Sequence, residues 1–210
     1  MYQPTAHEEK NVDVLHALVR AHPLGTWVTS PAEGLTANHI PFLLDASSGP
    51  YGCLRAHVAR PNPVWRNLAS PSLVIFQGPE TYITPSWYPS KHQHGKAVPT
   101  WNYAVVHAHG VARAIDDATW LRAHLERLTD THEATQSLPW KLDDAPEDYL
   151  QRMISGVVGI EISIHRIEGK WKVSQNRPSP DRLGVVAGLL GRGDEASAAM
   201  ATLVGRYAKD

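Results

Sequence analysis

Arg60, Asn62, Pro63 and Arg66 lie within one short stretch and have side chains suited to holding an anion. A phosphomonoester needs a fixed cation and several N–H donors, and a helix start supplies donors with a favourable dipole. Arg60 closes a predicted strand that also carries His57. Asn62 suits an N-cap and Pro63 the first helical position, with Arg66 on a short helix running through Leu68. The stretch reads as a phosphate seat; the plainer alternative is two solvated arginines beside a capped helix.

A second group lies between Tyr82 and Tyr103, where Trp87, Tyr88 and Trp101 join Ser86, Lys91 and Asn102, mostly on predicted loop. Aromatic rings drawn from a loop suit a ligand wall or a subunit interface, or else a satellite core beneath that loop. A third group, Gly169 to Asn176, sets Lys170, Trp171 and Lys172 beside the amides of Gln175 and Asn176 at a strand end. Such amides can read the edge of a heterocycle or cap the helix that follows. Histidines form the fourth group. His107 and His109 alternate on one strand and share a face, with His39 and His57 on others, a set able to ligate haem or a metal. No H-x-x-x-H, H-E-x-x-H or paired-Cys pattern accompanies them, so no metal site is expected. Nor is there a G-x-S-x-G elbow for serine hydrolysis.

The elements that must position these groups follow from periodicity. Asn11 to Ala21 is amphipathic at helical spacing and stops at His22-Pro23. The period then becomes two. Strands are expected over Gly25–Ser30, Leu35–Leu44 and Gly52–Val58, with turns at Pro31–Gly34 and Ala46–Pro50. Ser72–Phe76 and Thr81–Thr84 read as a hairpin about Gln77–Glu80. Pro85–Pro99 is irregular and Thr100–Ile115 a long strand. Asp117–Glu133 and Pro146–Met153 are helical. Val158–Ile167 alternates cleanly, Glu168-Gly169 turns, and Lys170–Val173 returns. After the loop from Asn176 to Pro180, the chain is helical from Asp181. About seven strands close in sequence, without helices alternating between them, argue for a mainly β (α+β) barrel or sandwich and against a doubly wound sheet.

The 210 residues suit one domain, and the 16 Pro and 15 Gly fall between short apolar runs, as many tight turns require. Net charge is −1 with no basic stripe, so direct nucleic-acid binding is not expected. The lone Cys53 cannot form an internal disulfide, and no apolar run approaches the ~20 residues of a membrane span. Met1-Tyr2-Gln3-Pro4 has no signal-peptide character, and a cytoplasmic location is expected.

Taken together, the runs HPLGTWVTS, GLTANHIPFLL, HVARPNPVW, VIFQGPETYITPSWYPSK, VPTWNYAVVHAHG, VVGIEISIHRIEGKWKVSQNRPSPDR and GLL resemble the PaiB-type family, described as FMN-binding negative transcriptional regulators. The resemblance extends from Met1 to about Leu190. It implies an FMN-binding split β-barrel with peripheral helices, related to pyridoxamine-phosphate oxidase, forming a homodimer with the cofactor at the subunit interface. Residues 1–190 would form that domain and 191–210 a C-terminal helical tail. By the same resemblance the phosphate would sit by His57, Arg60 and Asn62, and the flavin along Asn38 and His39. Tyr82, Ser86, Asn102, Lys172 and Gln175 would complete the pocket. The implied activity is flavin-dependent oxidoreduction, with non-catalytic repression of transcription, or haem binding, as alternatives. Nothing resembling a helix-turn-helix accompanies the regulator description.

Overall fold

The structure, a computed structural model, describes residues 1–31, 34–68 and 70–207. In chain order its elements begin with β1 (Glu8–Glu9), α1 (Val12–Ala21), β2 (Leu24–Thr29), β3 (Thr36–Pro41), β4 (Leu43–Asp45) and β5 (Cys53–Ala59). Next come β6 (Ser72–Ile83), α2 (Pro89–His94), β7 (Thr100–Ile115), α3 (Ala118–Glu133) and α4 (Glu147–Ser155). The chain continues through β8 (Val157–Lys172), α5 (Ser179–Leu190) and α6 (Glu195–Arg206). The eight strands form a sheet ordered β3-β2-β6-β7-β8-β5-β4, with β1 paired to β8. The β1–β8, β2–β3, β2–β6, β4–β5 and β5–β8 pairs are all antiparallel. The mainly β reading of the sequence holds. Among the described residues no helix is long and apolar enough to cross a membrane.

The chain divides into two compact units. One comprises His22–Phe76 and Ala108–Ile167. Its core follows the alternation of its strands: Trp27, Leu54, Ala56, Val58, Val74, Phe76, Ile160, Ile162 and Ile164 are buried. Phe42 meets Phe76 edge-on at 5.9 Å. The inward rows turn polar at one end, where Thr29 follows Trp27 on β2 and Ser72 precedes Val74 on β6; both are buried. Asp117 caps α3 by accepting from the Trp120 N–H at 2.6 Å, and α3 buries Leu121 and His124.

The other unit comprises Met1–Ala21, Gln77–His107 and Glu168–Asp210. Here α1 buries Leu15, Leu18 and Val19. A methyl group at Gly78 of β6 would lie 2.8 Å from Leu18, and one at Gly169 of β8 would run into Leu15. α1 therefore crosses both strands at a glycine. In the same unit α5 and α6 pack together, with Val185, Leu189, Met200 and Val204 buried.

Those two glycines explain the main departures from the sequence reading. Gln77–Glu80 does not turn; Gly78 and Pro79 lie within the continuous β6, and Glu168-Gly169 likewise runs through β8. Glycine in a strand signals a turn or a close approach, and here the approach of α1 decides. The expected strand Leu35–Leu44 is two strands, because Phe42 donates its N–H to Pro23 O and the chain then leaves β2 for β5. The helix expected after Pro63 is only a 3-10 turn, Pro63–Arg66. Pro85–Pro99 holds α2 and a 3-10 turn, Pro85–Trp87. In the Pro31–Gly34 turn, Ala32 and Glu33 lie outside the described residues, as do the last three residues of the 191–210 tail.

Candidate functional site

In the first unit β3 places Asn38 opposite Trp27 of β2. The loop after β5 brings Asn62 to it: Asn62 Nδ2 donates to Asn38 Oδ1 at 2.8 Å, while its Oδ1 accepts from the Val64 N–H at 3.0 Å. One side chain thus caps the 3-10 turn and orients the Asn38 amide. Asn62 also lines a hollow of about 410 Å³, together with Thr29, Thr36, Val64, Arg66 and neighbouring loop residues. Its size is in the range of cofactor sites. Arg66 lies over the Trp65 ring at 5.3 Å, and among the described residues no carboxylate is paired with it.

Among the described residues, Trp27 Nε1 of β2, Asn38 Nδ2 of β3 and Ser72 Oγ of β6 are buried polar atoms without a partner. By alternation and register, Trp27, Asn38 and Ser72 share the inward face with Thr29 and Thr36. Unpartnered buried donors are costly unless something accepts from them. With the Asn62 amide, the Thr hydroxyls and the Arg66 cation, they fit a ligand bearing a phosphate and hydroxyls, as FMN does.

Arg60 is placed differently from Arg66. Its Nη1 and Nη2 clasp Asp116 at 3.0 and 2.6 Å, Nε donates to Ser155 O at 2.7 Å, and Nη2 also reaches Val157 O at 3.0 Å. This clasp raises the Arg60 pKa and lowers that of Asp116. Arg60 and Asp116 border a separate cleft of about 630 Å³ along α3 and α4. The Arg60 carbonyl accepts from Trp65 Nε1 at 3.0 Å, tying the Arg60 anchor to the turn that carries Arg66.

His57 faces α3, where its Nδ1 lies 3.2 Å from His124 Nε2. Burial lowers its pKa. His39 is exposed on β3. The structure therefore brings Asn38, Asn62 and Arg66 together, and leaves His57 and Arg60 in other contacts.

The remaining expected site residues belong to the second unit. Tyr82 and Trp101 meet edge-on at 6.2 Å and are 43% and 48% exposed, able to offer a surface. Trp87 packs on Gly188 of α5 under Arg192, and Tyr88 is wholly buried beneath Arg177. Tyr88 is therefore core, and Trp87 is half-buried against α5. Ser86 donates its N–H to Thr84 Oγ1. Asn102, fully buried, donates to Ser174 Oγ at 2.9 Å. Lys172 donates to Thr100 Oγ1 and to Trp101 O, and burial lowers its pKa. Gln175 bonds the backbone of Trp171 and Val173, closing the strand end. His107 here, and His109 in the first unit, are both half-buried on β7.

Sequence reasoning missed Thr29, Ser72, Asp116 and His124. His124 falls on the helical face of Leu121 and Leu128, a spacing that could have marked it as buried. Asp116 carries no comparable local signal.

The profile of the family described as "Putative FMN-binding domain" matches residues 1–166. An uncharacterised protein of Emericella nidulans is 36% identical over 97% of this chain and 96% of its own length. The Bacillus subtilis "protease synthase and sporulation protein PAI 2" is 30% identical over the same shares. Among solved structures, the FAD and haem binding protein of Mycobacterium smegmatis superposes with a TM-score of 0.58 at 16% identity, covering 79% of this chain and 73% of that one. A conserved hypothetical protein of Mycobacterium tuberculosis gives 0.55 at 14% identity, over 85% and 94%. By sequence and by fold, the chain belongs to the PaiB-type family of FMN-binding split-barrel proteins.

Proposed function

We propose that this chain is a cytoplasmic, homodimeric flavoprotein that holds the FMN phosphate at the polar end of β2, β3 and β6, with Arg66 as its cation. What supports the reading is one arrangement: Asn62 fixes the Asn38 amide beside a hollow bordered by Arg66, with unpartnered buried donors on the same face. Arg60 is then a positioning residue, clamped to Asp116 so that the turn from Asn62 to Arg66 is held in place. The exposed His39, and Tyr82 and Trp101 on their own unit, are surfaces that a second subunit would cover. Residues 1–190 would form the flavin domain, with α6 in the tail.

When bound, FMN supplies hydride and one-electron chemistry. The chain's own residues orient the cofactor and exclude water, and no dedicated acid or base is required of them. The test compares FMN with riboflavin by absorption and fluorescence titration. FMN should bind more tightly, and Arg66→Ala should weaken FMN about 10- to 100-fold while leaving riboflavin unchanged, the scale of a charge-assisted hydrogen bond. Equal affinity for the two flavins in the wild-type chain would sink the phosphate assignment. Sedimentation of the same samples reads the dimer.

The Bacillus subtilis relative is named for protease synthesis and sporulation, which favours regulation as a second reading. A sequence-selective gel shift at physiological salt would establish that reading, and the net charge of −1 argues against it.

A further inference from the structure

Arg55 and His57 stand two apart on β5 and face the side opposite to the buried Leu54, Ala56 and Val58. α3 lays His124 against His57, the rings 5.4 Å apart and edge-on, and Trp120 stacks on His124 at 5.2 Å. Beside them is a pocket of about 90 Å³, lined by Leu43, Arg55, Trp120, Ala123, His124 and Arg127. That is roughly the share of three water molecules, far too little for a flavin. It has no lining residue in common with the hollow that Asn62 and Arg66 line.

Two observations say the pocket is made for something polar. His124 is 4% exposed, yet its Nδ1 has no partner among the described residues. The charges around it also fail to balance. Arg55 binds Asp45 and Glu161, and Arg113 binds Glu161. Among the described residues, Arg55, Arg113 and Arg127 thus stand against the two carboxylates Asp45 and Glu161, which leaves one positive charge in surplus with Arg127 on the pocket lining.

We propose that this pocket binds a small oxyanion, a phosphate or carboxylate group, held by Arg127 and Arg55 and by a proton on His124 Nδ1. The imidazole pair sets that proton. When His57 Nδ1–H donates to His124 Nε2, the single proton of neutral His124 must sit on Nδ1. Burial, then the positive surroundings of His57, Arg127 and Arg55, push the His124 pKa down to about 4, so the ring is neutral and recognition is by hydrogen bond. The guanidinium of Arg55 keeps Nη1 donors beyond its two ion pairs, and Arg127 adds a second fork suited to planar oxygens.

The test is a titration of the full chain with inorganic phosphate, and separately with acetate, with and without saturating FMN. It is followed by imidazole 15N–1H correlations, with the His124 signals assigned from His124→Gln. Either anion should move the His124 signals saturably, with FMN present or absent. Arg127→Gln should raise the apparent Kd about tenfold, equivalent to ~1.4 kcal/mol, and Arg66→Gln should leave it unchanged. Signals that ignore both anions, or move equally in Arg127→Gln, overturn the assignment. A response to zinc alone would make the imidazole pair a metal ligand set and also overturn it. So would a response lost in Arg66→Gln, which would put the anion in the flavin hollow instead; the fate of the FMN reading is decided separately by the riboflavin comparison.

Discussion

Acid should unfold this protein earlier than its ion pairs alone would dictate, and His124 is the main reason. Burial first, then the positive charges of His57, Arg127 and Arg55, lower its pKa from 6.5 to about 4 in the folded chain. In the unfolded chain it titrates at its ordinary value. Between these values the unfolded state binds a proton that the folded state refuses, so stability is intact above about pH 6.5 and falls as pH drops towards 4. The shift corresponds to about 3 kcal/mol in full, of which about 2 kcal/mol is lost between about pH 7.5 and about pH 5. His57 is shifted in the same direction by burial and adds to the effect. The assay is urea denaturation at those two pH values, in a buffer free of small oxyanions, for the wild type and for His124→Gln. Glutamine can keep a hydrogen bond to His57 but takes up no proton, so the variant's loss on acidification should be smaller by about 2 kcal/mol. Parallel losses in the two proteins would mean that His124 is not held neutral, and the burial argument would fail.

Three further outcomes follow from packing and burial. Gly159→Ala sets a methyl group against the Trp120 ring, with Cε3 at 2.8 Å and Ile115 O at 3.1 Å, so it should lower stability by about 1–3 kcal/mol; an unchanged urea midpoint would show that Trp120 swings clear. Asn102→Ala leaves Ser174 Oγ, on a residue only 4% exposed, without its 2.9 Å donor, and should cost about 1–3 kcal/mol in the same assay. Burial, then the charge of Glu161, push the Cys53 thiol up to about 11, so it should resist a thiol reagent at neutral pH until urea unfolds the chain. Labelling as fast as in the denatured chain would show that Cys53 reaches solvent.

How much of this was legible in the sequence depended on how far away the deciding partner lies. The Asn62 cap was readable because Asn, Pro and the turn it serves are adjacent. The long strand Thr100–Ile115 and the helix ending at Glu133 were readable from periodicity alone. Gly78 and Gly169 were misread as turns because a glycine that reverses the chain and one that admits a crossing helix look alike locally. Only Leu18 and Leu15 of α1 tell them apart. The split at Phe42 depended on its bond to Pro23, on a segment the local pattern does not reveal. Arg60 and Arg66 make the same point within the candidate site. They are the same residue type six positions apart and flank the same cap, and the sequence reading assigns the anion to Arg60. Asp116, 56 residues beyond Arg60, engages it and leaves Arg66 beside the hollow. The chemistry of an arginine is set by its carboxylates, and spacing along the chain carries no information about a carboxylate that arrives from another element. The cap and the two arginines of the proposed phosphate seat were therefore visible before the structure, while the distant partner that separates the two arginines was not.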